Sequence, residues 1–285
     1  MRSQSAQAAK PGGAASVRQR WWLTHKARRL GSYGLQAVSA LAPDRYRPYR
    51  FAGGRIYLNL HESEMMVQRA LGQYEPAKQR LIKRFLRPGM TFVDVGANKG
   101  DFTLIAARLA GDRGTVLSFE PEPTNFHWLE RSIALNEYRN VRAYRVALGD
   151  TEGAAQLYLG AKSGWHTLVS NYHRGLGSQT IETRTLDSVL HEAALPKADM
   201  IKIDVEGWEL PVLRGAIQTL RSSDGAIVLL DLHPHLGADV REISNLLLAL
   251  GFRLYLNCDL SHEIGAIPDC LVDIAAIRHA NGVSA

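Results

Sequence analysis

The hydrophobic and polar positions of this chain switch period repeatedly. Short apolar and β-branched runs alternate with segments whose apolar residues recur every three or four positions. The runs Thr91–Val95, Val116–Phe119, Val141–Ala147, Met200–Asp204 and Ala226–Asp231 predict strands covered on both faces. Helices are predicted over Lys78–Leu86, Phe102–Leu109, Thr124–Asn136, Leu210–Arg221 and Val240–Leu250. Phe252–Leu256 and Leu271–Ile277 close the pattern as two strands with no helix between them, which predicts an antiparallel strand at one edge. The class is therefore α/β: a doubly wound, mostly parallel, seven-stranded, Rossmann-like sheet. Upstream, Tyr49–Leu60 reads as a hairpin turning at Gly53-Gly54. Residues 151–185 break the rhythm, with Gln156–Leu159 and Thr180–Leu186 pairing around a loop that holds Ser163, Gly164, Trp165, His166, Asn171 and His173. That insertion is either a flap over a bound acceptor or a solvated hairpin.

The chemistry gathers at Thr91-Phe92-Val93-Asp94-Val95-Gly96-Ala97-Asn98-Lys99-Gly100, a strand running through a glycine turn into a helix. Such a turn presents backbone N–H groups to a nucleotide. A dinucleotide fingerprint wants glycine where Asn98 stands, so that a pyrophosphate reaches the chain. The Gly-x-x-x-Gly pattern after Asp94 instead suits a ligand with an amino-acid tail and no phosphates. Twenty positions beyond Gly100, the strand Val116–Phe119 ends in Glu120, placed to accept both hydroxyls of a ribose. Together they predict S-adenosylmethionine (SAM). Ligands of doubly wound sheets bind beyond the carboxyl ends of the strands, which sets Gly96–Gly100, Glu120, Asp150, Asp204 and Asp231–His235 around one cleft.

Charge changes the picture at one end only. The formal net charge of the 285 residues is +6, yet residues 1–43 hold seven basic residues and no acid, leaving 27 basic against 28 acidic residues elsewhere. The body of the protein is nearly neutral and carries no electrostatic signature of nucleic-acid binding. The chain divides into a basic segment, 1–43, disordered or weakly helical, and a catalytic domain, 44–285, with the 151–185 insertion. Trp21-Trp22 among arginines suits peripheral contact with an anionic membrane, while a helix packed on the domain is the plainer reading. Arg28-Arg29 before a short apolar run is a faint twin-arginine pattern. Two cysteines and no run of membrane-spanning length predict a cytoplasmic protein, peripheral to the membrane at most.

Val93–Gly100, Phe119-Glu120-Pro121, Ala147-Leu148-Gly149-Asp150 and above all Ile201-Lys202-Ile203-Asp204-Val205-Glu206-Gly207-Trp208-Glu209 resemble the FkbM-type SAM-dependent methyltransferases. Tyr74-Glu75-Pro76 and Val212–Ala216 extend the likeness, which covers roughly residues 50–280, while Lys99 replaces an aliphatic residue common in that family. The resemblance implies a class I methyltransferase fold. It further implies that SAM is held by Glu75, Asp94, Gly96, Ala97, Asn98, Gly100, Glu120, Pro121 and Asp150, with methyl transfer to an oxygen of a sugar, lipid or natural product. Two other functions stay open: a non-catalytic binding or scaffold module at a membrane surface, and an NAD-dependent enzyme of related fold.

A hydroxyl acceptor needs a base. Asp204 and Glu206 lie two apart at a strand end, on one face if the chain stays extended, and His233 lies beyond the next strand. Asp204 is the first candidate base and His233, titrating near neutrality, the second. Glu206 either joins them or caps the following helix, and His233 is either that base or a core histidine. Asp231, His233 and His235 with Asp204 form only a weak divalent-metal pattern, and no metal ligand is assigned.

Overall fold

The computed structural model describes residues 33–160, 164–170, 176–270 and 272–279. Residues 33–41 form a helix (α1), followed by the antiparallel hairpin β1 (Arg47–Phe51) and β2 (Gly54–Leu58). Its two-residue turn is Ala52-Gly53, both at positive φ, one position ahead of the expected glycine pair. Two mirror-image turn residues match the twist of the flanking strands. Helices α2 (Glu64–Ala70) and α3 (Pro76–Phe85) lead into the main sheet.

That sheet has eight strands in the order β12-β11-β13-β10-β9-β3-β4-β5. They are β3 (Thr91–Val95), β4 (Thr115–Phe119), β5 (Val141–Tyr144), β9 (Met200–Ile203), β10 (Ile227–Leu232), β11 (Arg253–Leu256), β12 (Glu263–Ile264) and β13 (Val272–Ile277). From β10 to β5 all pairs are parallel. The antiparallel strand β13 is inserted between β10 and β11 and so lies inside the sheet, not at its edge. On that side the edge is the two-residue β12, too short to leave a long unpaired template. Alternate residues of each central strand feed opposite cores. Phe92, Val116 and Met200 pack with α3, α4 (Asp101–Ala110) and the hairpin, while Val93, Leu117 and Ile201 pack with the opposite helical layer.

The predicted third strand breaks after Tyr144. Its end, β6 (Ala147–Leu148), joins β7 (Gly153–Tyr158) and β8 (Ser178–Arg184) in a separate three-stranded sheet over the carboxyl ends of the main strands. The single helix expected over Leu210–Arg221 is two, α7 (Glu209–Arg214) and α8 (Ile217–Ser222). Gly215, between them, passes so close to Gly149 that a Cβ would sit 1.8 Å from the Gly149 carbonyl oxygen. Asp187, on the unanticipated α6 (Leu186–Glu192), then caps α8 by accepting from the Gln218 and Thr219 N–H groups at 2.9 and 2.7 Å. Helices α5 (Pro123–Leu135) and α9 (Val240–Ala249) are capped locally, by Glu122 and Asp239.

Ser163, Asn171 and His173, the basic residues Arg2 to Arg29, and Trp21-Trp22 lie outside the described residues. Among those described, no helix is long and apolar enough to cross a membrane.

Candidate active site

A cavity of about 410 Å³ opens at the carboxyl ends of β3, β4, β9 and β10. Its size falls within the range of small-molecule sites, about 300–1,000 Å³. The end of β4 supplies Glu120, buried at the cavity wall. Its carboxylate accepts from the Asn98 N–H at 2.8 Å and the Glu122 N–H at 3.0 Å. Burial pushes this carboxyl up to about 7, against the pull of those two N–H groups and of Lys99. Gly96, Asn98, Phe119, Pro121 and Val146–Leu148 complete this half. Gly96 is at φ +75 and abuts β9's exit, where a Cβ would meet the Asp204 carbonyl oxygen at 1.9 Å, so only glycine fits. A mixed wall of this kind, with an acid at one strand end and apolar surface beside it, fits the ribose and base of SAM.

Asp94 is beneath this wall, not part of it. Paired across the sheet with Lys202, it accepts from Thr103 Oγ1 at 2.6 Å and lies 3.6 Å from Lys202 Nζ. Lys202 donates in turn to the Gly96 carbonyl at 2.9 Å and lies 3.6 Å from Asp204. The two side chains therefore fix the glycine turn from below. Gly100 is the N-cap of α4, and Ala97 is buried in the turn. Glu75, the left-handed N-cap of α3, takes Lys78 Nζ at 2.8 Å. Lys78 is wholly buried and also reaches Asp231 at 3.2 Å and Asp273 at 2.7 Å, tying the adjacent ends of β10 and β13 to α3. Asp150 is exposed and does not line the cavity, because the chain after β6 turns away toward Gly215. Lys99 points off the cavity and donates to Asn125 Oδ1 at 2.6 Å.

The other half of the cavity gathers Asp204, Glu206, Asp231 and His233. The extended chain does not persist to Glu206, which sits at φ +51 before Gly207. The turn nevertheless brings one ligand atom each from Asp204, Glu206 and His233 within 4.8 Å of one another. Glu206 does not cap α7, whose N-cap Trp208 makes no side-chain cap bond; Glu209 Oε1 instead ties the preceding turn, accepting from the Gly207 N–H at 3.0 Å and facing His233 Nδ1 at 2.9 Å. His233 Nε2 lies 3.4 Å from Glu206 Oε2. Burial pulls the imidazole down, but the Glu209 hydrogen bond and the charges of Asp204 and Glu206 outweigh it and push His233 up to about 10. Burial also pushes Glu206 up to about 8, partly offset by His233. Asp204 is held below the usual range: burial raises it, and Lys202, His233 and Lys78 together outweigh burial.

Nothing in the sequence points to Arg69 or Met65 as part of the site, and it assigns no site role to Tyr74 or Trp208, which it marks only as parts of motifs. None lies at the carboxyl end of a parallel strand, where such sheets bind their ligands. Trp165 and His166 do line the cavity from the 151–185 insertion, with His166 Nδ1 accepting from the Gly160 N–H at 3.1 Å.

A mostly parallel sheet of this strand order, with an inserted antiparallel strand and a cavity at its carboxyl ends, is the fold of class I methyltransferases. The description "Methyltransferase FkbM domain" matches residues 94–254, and the chain belongs to that family. It is 31% identical over 156 residues to the hexuronic acid methyltransferase AglP of Haloferax volcanii, covering 54% of this chain and 59% of that one. It is likewise 31% identical over 142 residues to Methyltransferase 1 of Beauveria bassiana, covering 43% and 57%. The chain thus matches under two thirds of the length of each. Among solved structures, an FkbM methyltransferase from Methylobacillus flagellatus KT aligns over 90% of this chain and 60% of its own, at 14% identity and a TM-score of 0.45.

If Glu120 takes the SAM ribose, Glu120→Ala is expected to weaken SAM binding by about 1–3 kcal/mol, through lost ribose hydrogen bonds and a loosened Asn98 N–H. Titration calorimetry reads this directly, and unchanged affinity in a folded variant would remove Glu120 from the site.

Proposed function

We propose that this protein is an O-methyltransferase acting on a hydroxyl of a sugar, lipid or natural-product acceptor with SAM as methyl donor. The observation that carries the reading is the two-ended cavity, with Glu120 at one end and the Asp204–Glu206–His233 group at the other. The likeness to a hexuronic acid methyltransferase supports a sugar acceptor. Bound SAM would supply an electrophilic methyl on a sulfonium, so the protein has to align the acceptor and remove its proton. Glu206 is the proton acceptor in this reading, because its carboxyl is poised near neutrality and faces the cavity. His233, held by Glu209, fixes the Glu206 carboxylate from behind. Asp204 is held ionised beside Lys202, with its carboxyl below the usual carboxylate range, and Glu206 is the group closer to neutrality.

The test is conversion of labelled SAM with a panel of uronic acids, neutral sugars, lipids and polyketides. Turnover on a hydroxyl acceptor is expected, and Asp204→Asn is expected to retain measurable turnover where Glu206→Gln does not. SAM binding with no turnover on any acceptor would favour the scaffold module, and NAD binding in place of SAM would favour a dehydrogenase.

Peripheral membrane contact through the basic segment belongs to the same proposal. Helix α1 leaves Tyr33, Val38 and Leu41 exposed, Val38 and Leu41 being neighbours on one face. The helix itself belongs to the domain, since Ser39 is buried and its hydroxyl donates to the His61 carbonyl. Removing residues 1–32 alone is therefore the clean deletion. It is expected to preserve turnover on a soluble acceptor and to lower sedimentation with anionic vesicles, by about 1 kcal/mol per near-surface basic residue. Sedimentation that ignores both the deletion and salt would exclude the anchor.

A further inference from the structure

Arg69 of α2 lines the cavity, and among the described lining residues it is the only lysine or arginine. It is 4% exposed. Its guanidinium is fixed on three sides. Nε lies 3.0 Å from Asp101 Oδ1, Nη1 donates to Asn98 Oδ1 at 3.3 Å, and the Tyr74 ring lies beneath at 4.2 Å. The remaining amino group, Nη2, makes no hydrogen bond with the described residues. A buried guanidinium with an unused edge on a cavity is costly unless a ligand completes it.

The ligand it would complete follows from its neighbours. Arg69 holds Asn98 in the glycine turn, whose own N–H is bound to Glu120, so the guanidinium stands on the cofactor's side of the cavity. Asp204 lines the same cavity, and Asp101, Glu75 and Asp204 all support the Arg69 charge against burial. A carboxylate acceptor of opposite sign beside a fixed cation is what an α-amino acid needs, since its ammonium and carboxylate diverge from one carbon.

Resting on the SAM reading, we propose that Arg69 is the carboxylate-binding residue for the methionine tail of SAM, presented by α2 and held flat by Tyr74 and Asp101. The Arg69 Nη2 edge pairs with the tail carboxylate, and the tail ammonium turns toward Asp204. Helix α2 thereby makes part of the cofactor site from outside the strand–turn–helix unit.

The experiment compares three ligands by titration calorimetry on the full chain. S-adenosylhomocysteine carries the whole tail, S-adenosyl-3-thiopropylamine keeps the amine without the carboxylate, and 5′-methylthioadenosine lacks both. The unaltered protein is expected to bind S-adenosylhomocysteine about 10- to 100-fold more tightly than the amine analogue. Arg69→Met is expected to abolish that preference while leaving 5′-methylthioadenosine affinity within twofold. The double variant Arg69→Met/Asp101→Asn, which strands no buried carboxylate, is expected to behave the same way. Equal affinity of the unaltered protein for the tailed ligand and its amine analogue would overturn the proposal without any variant. So would parallel losses for all three ligands in a folded variant. Absence of binding by all three to the unaltered protein would overturn the SAM reading itself.

Discussion

On the reading that Glu206 is the base, Glu206→Gln is expected to lower kcat by about 10²–10⁴-fold, the range of a lost general base, while S-adenosylhomocysteine affinity stays within a few-fold. The amide keeps the shape of the carboxylate but cannot take a proton. The expected pH dependence has a definite sign. Burial raises Glu206 to about 8, so it is protonated and inactive below that pH and ionised above it. The rate kcat/KM therefore rises with pH through about 8 and levels off beyond. His233→Gln keeps the carboxylate and removes the charge that offsets its burial, so it moves the midpoint of that rise to higher pH. Steady-state rates between pH 6 and 10 check both statements. A rise near pH 8 that survives Glu206→Gln would assign the proton to another group. If Asp204→Asn proves the more damaging variant, Asp204 resumes the role of base.

Lys202→Met costs about 3–5 kcal/mol of folding stability, the usual price of a buried charge left without its partner. Lys202 and Asp94 are both buried, 3.6 Å apart on neighbouring parallel strands. Removing the ammonium leaves Asp94 facing Thr103 with one oxygen that has no hydrogen-bond partner, and also frees the Gly96 carbonyl. Urea denaturation of the two proteins measures the difference, provided the slope with denaturant is unchanged. Lys202→Met/Asp94→Asn recovers part of the loss, because the stranded charge goes with its partner. A single variant within 1 kcal/mol of the parent would mean that the pair is solvated (about the value of an exposed ion pair).

The sequence alone determined the core of this fold, because its information is local. Thr91–Val95 reads as a doubly covered strand, and it lies between β4 and β9 with every residue buried. The glycine turn and Glu120 were legible for the same reason: a tight backbone and a strand-end acid leave their mark within about thirty residues. The family followed from Ile201–Glu209 and matches the chain over residues 94–254. What only the tertiary structure decided depends on residues far apart in the chain. Strand β13 enters between β10 and β11 through pairing that no periodicity encodes. Helices α7 and α8 separate where Gly215 meets Gly149, and α8 is capped from Asp187. Asp94 looked like a ligand contact by its place in the motif, yet the alternation of side chains turns it under α4 toward Thr103 and Lys202. Arg69 carries no motif and reaches the cavity only because α2 is laid against the glycine turn. Glu206 and His233 come from the segments after two separate strands, and the mutual charge that sets their protonation exists only once those segments are packed side by side.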